Sequence, residues 1–121
     1  MRSGEIADTA PTAVSHNPRI RKRVMVPRGV VPALMQAARA EFPPGEIANA
    51  HVHPDLWELF ICEAGEGTMR VDATEVPLRR GSWVLVEPGE RHELVASNGG
   101  LTVTVFGVAP GTTLPSTSND R

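Results

Sequence analysis

The side chains of this chain best suited to chemistry are its four histidines, His16, His51, His53 and His92. Two of them stand one residue apart in His51-Val52-His53. Residues i and i+2 of a β-strand share a face, so these imidazoles would lie side by side on one side of a sheet. Glu58 follows a His53-Pro54-Asp55 turn and opens the next apolar run, which can bring its carboxylate beside them. His92 enters from a separate turn, Pro88-Gly89. Three neutral imidazoles and one carboxylate suit Fe²⁺, Mn²⁺, Ni²⁺, Co²⁺ or Zn²⁺ and leave coordination positions open for a guest. The expected ligands of one divalent ion per chain are therefore His51, His53, Glu58 and His92. His16 is assigned no role.

Other reactive groups are scarce. The chain has no tyrosine, and its single lysine, Lys22, sits in a basic Arg21-Lys22-Arg23 run rather than an apolar pocket that would lower its pKa. Schiff-base and tyrosine acid/base mechanisms are thereby excluded. The lone cysteine, Cys62, cannot form an intrachain disulfide, which fits a reducing, cytoplasmic setting. A formal charge of −2 gives no basic excess for a nucleic-acid partner. No apolar run approaches the ~20 residues of a membrane-spanning helix, and Met1-Arg2 is followed by no hydrophobic signal core, so no membrane partner is expected.

The elements that must position these groups are short. With 121 residues and 13.0 kDa the chain has room for one core. Residues 1–18 and 110–121 are rich in Ala, Ser, Thr and Pro without apolar period, and cannot repay the entropy of ordering unless another surface captures them. They are expected to be flexible arms around a domain spanning 19–109. Within it, apolar runs rich in β-branched residues alternate with turn formers: Ile20–Val26, Leu34–Phe42, Ile47–Val52, Leu56–Cys62, Gly67–Val71, Val76–Leu78, Ser82–Val86, His92–Ala96 and Leu101–Phe106. Val31–Ala40 also has good helix formers, but Pro32 opens it and Pro43-Pro44 closes it, which favours a strand. Many short antiparallel strands are best closed as an all-β barrel or jelly roll, because an open sheet leaves unpaired edges.

The residues around the histidines resemble the two motifs of the cupin superfamily. The first is a glycine, five residues, His-x-His, three or four residues, Glu, six residues and glycine; Gly45, His51, His53, Glu58 and Gly65 meet it without a gap. The second is met at Gly81, Gly89 and His92. It departs where the family has a proline and this chain has Glu87 followed by Pro88, and where the family has an asparagine and this chain has Ala96. The resemblance covers residues ~34–107 and implies a single cupin β-barrel that binds one divalent metal, usually as a homodimer. A dimer also suits a small barrel with surface to cover, and the apolar run Ile20–Val26 is the strand expected to pair across the two-fold axis.

Strand parity places Gln36, Ala38 and Ala40 inward with Phe42, and Phe60 and Cys62 inward with Glu58, which makes Gln36, Phe60 and Cys62 the candidate pocket-lining residues. Buried cysteine mostly behaves as a small hydrophobe, and Trp57 and Trp83 are expected in packing or dimer contacts. A site of this composition keeps a net positive charge and suits a small-molecule substrate that is polar or acidic. Fe²⁺-dependent oxygenation ranks first, with Glu58 and His92 as the catalytic candidates. A metal-assisted isomerase or lyase and a non-catalytic binding module are the alternatives. The metal-free epimerases of the superfamily use a tyrosine, and its thiol dioxygenases replace the metal-binding Glu, so the resemblance implies neither branch.

Overall fold

The computed structural model describes residues 1–14 and 17–110. His16 and residues 111–121 of the expected C-terminal arm lie outside them. A 3-10 turn at Ile6–Asp8 leads into strands β1 (Thr12–Val14), β2 (Asn17–Val26), β3 (Leu34–Phe42), β4 (Ile47–Val52), β5 (Trp57–Val71), β6 (Thr74–Leu78), β7 (Trp83–Val86) and β8 (Arg91–Val108). All pairings are antiparallel, in the path β1-β2-β3-β8-β5-β6, with β4 added on β8 and β7 on β5. The result is an all-β jelly roll. No helix among the described residues is long and apolar enough to cross a membrane.

The helix formers of Val31–Ala40 enter a strand because β3 is hydrogen-bonded on both sides, to β2 and to β8. Ladder pairing and burial of Ala38, Ala40 and Phe42 outweigh the alanine preference for helix, while Arg39 and Glu41 keep the outward positions. The runs expected as separate strands at Leu56–Cys62 and Gly67–Val71 are one strand, β5, and those at His92–Ala96 and Leu101–Phe106 are one strand, β8. Each is bent in the middle and serves two layers. The first half of β5 pairs with the second half of β8 in the layer containing β3 and β7; the remaining halves pair in the layer containing β4 and β6. The register shifts at the bend, between Cys62 and Ala64 and between Gly65 and Gly67. Gly65 has φ +74°, and a Cβ there would collide with the carbonyl of Gly100 on the facing bend. Only glycine lets the two strands fold over together.

Between the layers lie Ile20, Phe42, Phe60, Cys62, Met69, Leu78, Val86, Leu94, Leu101, Val103 and Val105. Met69 and Val103, from the halves of β5 and β8 that face each other across the barrel, are fully buried. Each such side chain stabilises the fold by roughly 1.5–3 kcal/mol relative to exposure. At one end the apolar filling stops and the inward positions become Gln36 on β3, Glu58 on β5 and His92 on β8.

Of the segment 1–18, expected to lack regular structure on its own, residues 12–14 meet a capturing surface on β2, and Asn17 and Pro18 already belong to that strand. Thr12 and Ala13 pair with Lys22 and Arg21, and Arg23 donates from Nη1 to the Thr9 carbonyl at 2.6 Å while its Nε lies 3.3 Å from Glu41 Oε2. Strand β2 thus has β3 on one side and, over Arg21 and Lys22, the three-residue β1 on the other. The run Ile20–Val26 that the sequence offered for pairing across a two-fold axis is covered by β1 only at those two residues.

Candidate metal centre

His51, His53, Glu58 and His92 come together at that end of the barrel, each offering one ligand atom, with all four atoms within 4.8 Å of one another. The imidazole centroids of His51 and His92 are 4.3 Å apart, those of His51 and His53 4.7 Å, and those of His53 and His92 5.6 Å. Glu58 Oε1 lies 3.0 Å from His92 Nε2 and 3.4 Å from His53 Nε2. His92 and Glu58 are buried, at 2% and 8% exposure, whereas His51 and His53 are half-buried toward solvent.

Local backbone features put each group in place. Ala48 of β4 packs against the core and pairs with Leu94; simple alternation from there would turn His51 outward and set Ala50 opposite His92. A bulge between Ala48 and His51 inserts one residue, so His51 becomes the cross-strand partner of His92 and faces inward. His51 Nδ1–H donates to the carbonyl of Asn49 at 2.8 Å, inside that bulge. His92 Nδ1–H addresses the Glu90 carbonyl at 3.3 Å. With Nδ1 engaged by a carbonyl, the lone pair of each ring sits on Nε2. His53 lies just past β4, and its carbonyl accepts from Gly89 N–H at 2.8 Å, tying the His51-Val52-His53 segment to the turn that delivers His92. The same turn explains Glu87. Its N–H donates to Glu90 Oε1 at 2.7 Å, a bond that a proline in this position could not make.

The cluster fits a cation on an observation independent of spacing. Glu58 Oε1 and His92 Nε2 are buried, 3.0 Å apart, and yet neither has a hydrogen-bond partner among the described residues. Their separation suits a hydrogen bond but their alignment does not; two lone-pair atoms converging on a third point are what a metal ion requires and what an apolar core avoids. The electrostatics agree. Burial pushes the Glu58 carboxyl up, but His92, His53 and His51 together outweigh it and hold the group below its ordinary range. Burial lowers His51, opposed by its bond to the Asn49 carbonyl and reinforced by His92 and His53, so its neutral, ligating form is favoured.

Among the candidate pocket residues, Gln36 is half-buried on the inner face of β3, directly opposite Gly107 of β8, which in turn pairs with Glu58. Phe60 is buried with its ring centroid 6.0 Å from that of His92, forming an apolar wall beside the cluster. Cys62 is placed one step deeper, in the core, its Sγ 3.6 Å from the Gly65 carbonyl and 3.7 Å from that of Ala64. Burial pushes its thiol up, as in a packed small hydrophobe. Gly107, which sequence reasoning did not single out, belongs to this region; a lone glycine in an apolar strand gave no signal before the strand register was in view.

A family model described as a cupin domain matches residues 38–115. No match is found among curated proteins. Several solved structures share the fold. A predicted oxalate decarboxylase from Thermotoga maritima superposes with a TM-score of 0.84 at 18% identity, over 90% of this chain and 100% of that one. The Cnp3 cupin domain of Schizosaccharomyces pombe gives 0.75 at 11% identity, over 89% and 69%. KdgF from Halomonas sp. gives 0.71 at 17% identity, over 86% and 92%. At these identities the likeness is one of fold.

Two outcomes follow from this geometry. Replacing His51 and His53 together by alanine is expected to abolish tight binding of Co²⁺ or Fe²⁺ while the circular dichroism stays β-rich; full metal occupancy in that variant would contradict the ligand assignment. The second concerns acid. With the folded-state pKa of His51 below 6.5 and that of Glu58 below 4.5, the unfolded chain binds the extra proton as pH falls through each value. The metal-free protein should therefore lose melting temperature first below pH 6.5 and again below 4.5. His51→Gln should remove the upper part of that loss, read by thermal scans across the pH range.

Proposed function

We propose, for a chain that belongs to the cupin domain family, that this barrel holds one divalent metal ion and acts on a small polar or acidic metabolite by Fe²⁺-dependent oxidation. The observation that carries the reading is the buried, converging, unpartnered pair of Glu58 Oε1 and His92 Nε2. His51, His53, Glu58 and His92 would hold the ion. When bound, Fe²⁺ supplies redox chemistry with O₂ that no side chain of the chain can supply.

The chain's own part is exclusion and placement. Phe60, Val105 and Ala38 line the interior beside the cluster and keep water from the reacting centre. The Gln36 carboxamide, able to donate and accept, is a polar group of the same layer, across Gly107 from Glu58. No tyrosine or second lysine exists in the sequence to move protons, which leaves Glu58 and His92 to hold or pass one. That shortage supports oxygen chemistry over proton-shuttling isomerisation or elimination. A positively charged site that admits oxygen donors also suits a small carboxylate, and the fold shared with a predicted oxalate decarboxylase adds dicarboxylates to the candidates.

Homodimerisation is part of the same proposal. With β2 partly covered by β1, the surface that supports it best is the outer face of β5, β7 and β8, where Trp83 is 65% exposed and Trp57, Leu85 and Val108 are exposed around it. The lone Cys62 supports a reducing, cytoplasmic setting.

The reaction is tested by metal analysis of protein purified without added metal, then O₂ uptake with Fe²⁺ and a panel of small diols, keto acids and dicarboxylates. Uptake that requires iron and stops under anaerobiosis is expected. Undiminished turnover without O₂, with Zn²⁺, Ni²⁺ or Mn²⁺ accepted, would replace this reading by metal-assisted isomerisation or elimination. No turnover with any metal, together with a concentration-dependent rise in melting temperature from one panel member, would make the protein a binding module. Light scattering at micromolar concentration should report twice the chain mass, falling to one chain in Trp83→Arg; the mass of one chain, 13.0 kDa, in the parent would contradict the dimer.

A further inference from the structure

Gly107 is a buried glycine of β8 that faces the bulge between Leu34 and Gln36 of β3, although its own φ does not call for glycine. Gly100, the other buried glycine of β8, has φ +84° and crowds the Phe42 carbonyl, and Gly65 opposite it admits no Cβ at all. Gly107 has no such φ. A Cβ there would meet only side-chain atoms at ordinary contact distances, Leu56 Cδ1 and Met35 Cβ at 3.6 Å and Gln36 Cγ at 4.0 Å. Alanine would fit this strand position and lose less conformational freedom on folding. A strand glycine marks a bulge or a place where another group approaches the backbone; here the facing strand is bulged at Met35, and the Cβ position itself stays open.

The register shows what flanks it. Across the sheet the inward positions run Gln36 on β3, Gly107 on β8, Glu58 on β5 and Val86 on β7. The glycine thus puts no side chain between Gln36 and Glu58, and the gap, with room for a Cβ, is bounded by Leu56 and Met35. Glu58, buried at 8% exposure, keeps Oε1 without a hydrogen-bond partner, and the Gln36 carboxamide bonds to no described residue. Met35 and Leu56, both half-buried, form an apolar rim.

We propose that the slot over Gly107 seats the guest of the metal centre, and that Gly107 and Gln36 set its size and class. This rests on the metal reading above. The class is a short carboxylate or hydroxy acid: one oxygen-bearing end addresses the His51, His53, Glu58 and His92 cluster, the body lies on the Gly107 backbone, and a second oxygen meets the Gln36 carboxamide. A Cβ at 107 occupies the place of the body and should shorten what the site accepts.

The test uses the full chain loaded with Co²⁺, whose visible spectrum reports both metal binding and oxygen donors at the metal, titrated with glycolate, oxalate and malonate. Gly107→Ala should bind Co²⁺ as the parent does, melt at the same or a higher temperature, and lose affinity for oxalate and malonate by about tenfold or more, as an overpacked site does. Gln36→Leu should weaken the same two acids and spare glycolate. Unchanged acid affinities in both variants would overturn the proposal. So would a lower melting temperature in Gly107→Ala with unchanged affinities, which would make the glycine structural, or a Co²⁺-loaded parent that binds none of the acids. Failure of the parent to bind Co²⁺ at all is a separate result that removes the metal reading and the slot together.

Discussion

The Glu58 carboxylate lies 3.0 Å from His92 Nε2, both groups are nearly excluded from water, and their alignment gives neither a hydrogen bond. Leaving such groups unsatisfied costs about 1–3 kcal/mol each. A small barrel whose net stability is of order 5–15 kcal/mol carries that cost only where the surrounding structure over-determines the geometry. Around this pair it does: Glu58 is fixed by β7 on one side and β8 on the other, and His92 by β4 and β5. The ring nitrogens that do not face the centre are turned to carbonyls in His51 and His92. The strands on either side thus fix where both groups stand at this end of the barrel.

That placement depends on the two bent strands. Because β5 and β8 each cross from one layer to the other, Glu58 and Val71 share one strand, and His92 and Gly107 share the other. Groups far apart in sequence are set opposite one another by register alone. The glycine-lined bend at Gly65 and Gly100 does for the apolar end of the barrel what the β4 bulge does for the polar end. Each introduces one irregularity that lets regular pairing continue on both sides of it.

Much of this was legible in the sequence, for identifiable reasons. The ligand set was readable because its residue types are rare on strands and their spacing is fixed by local geometry. Alternation placed Phe42, Phe60 and Cys62 inward because the strands carrying them are regular there. The bulge before His51 was not readable. His51 and His53 keep their parity with each other whichever way the preceding residues face, so nothing in the pattern revealed that Ala48 and His51 were out of phase. The joining of paired runs into β5 and β8 was hidden by Gly65, Gly67, Gly99 and Gly100, which read as breaks but act as bends. Glu87 looked like a departure from a motif until its N–H was seen to bond Glu90. The capture of the N-terminal segment depended on Arg23 reaching the Thr9 carbonyl, a contact between residues with no pattern in common.

The placement of Arg21-Lys22-Arg23 on β2 has a consequence for how the protein avoids joining others of its kind. This strand lies beside the outermost one, and β1, only three residues long, shields part of it. Were β1 to lift away, a second chain adding there in antiparallel register about Lys22 would set Arg21 against Arg23 and lysine against lysine. Like charges directly opposed disfavour that pairing. In that register the basic run disfavours strand addition at this edge even without its cover.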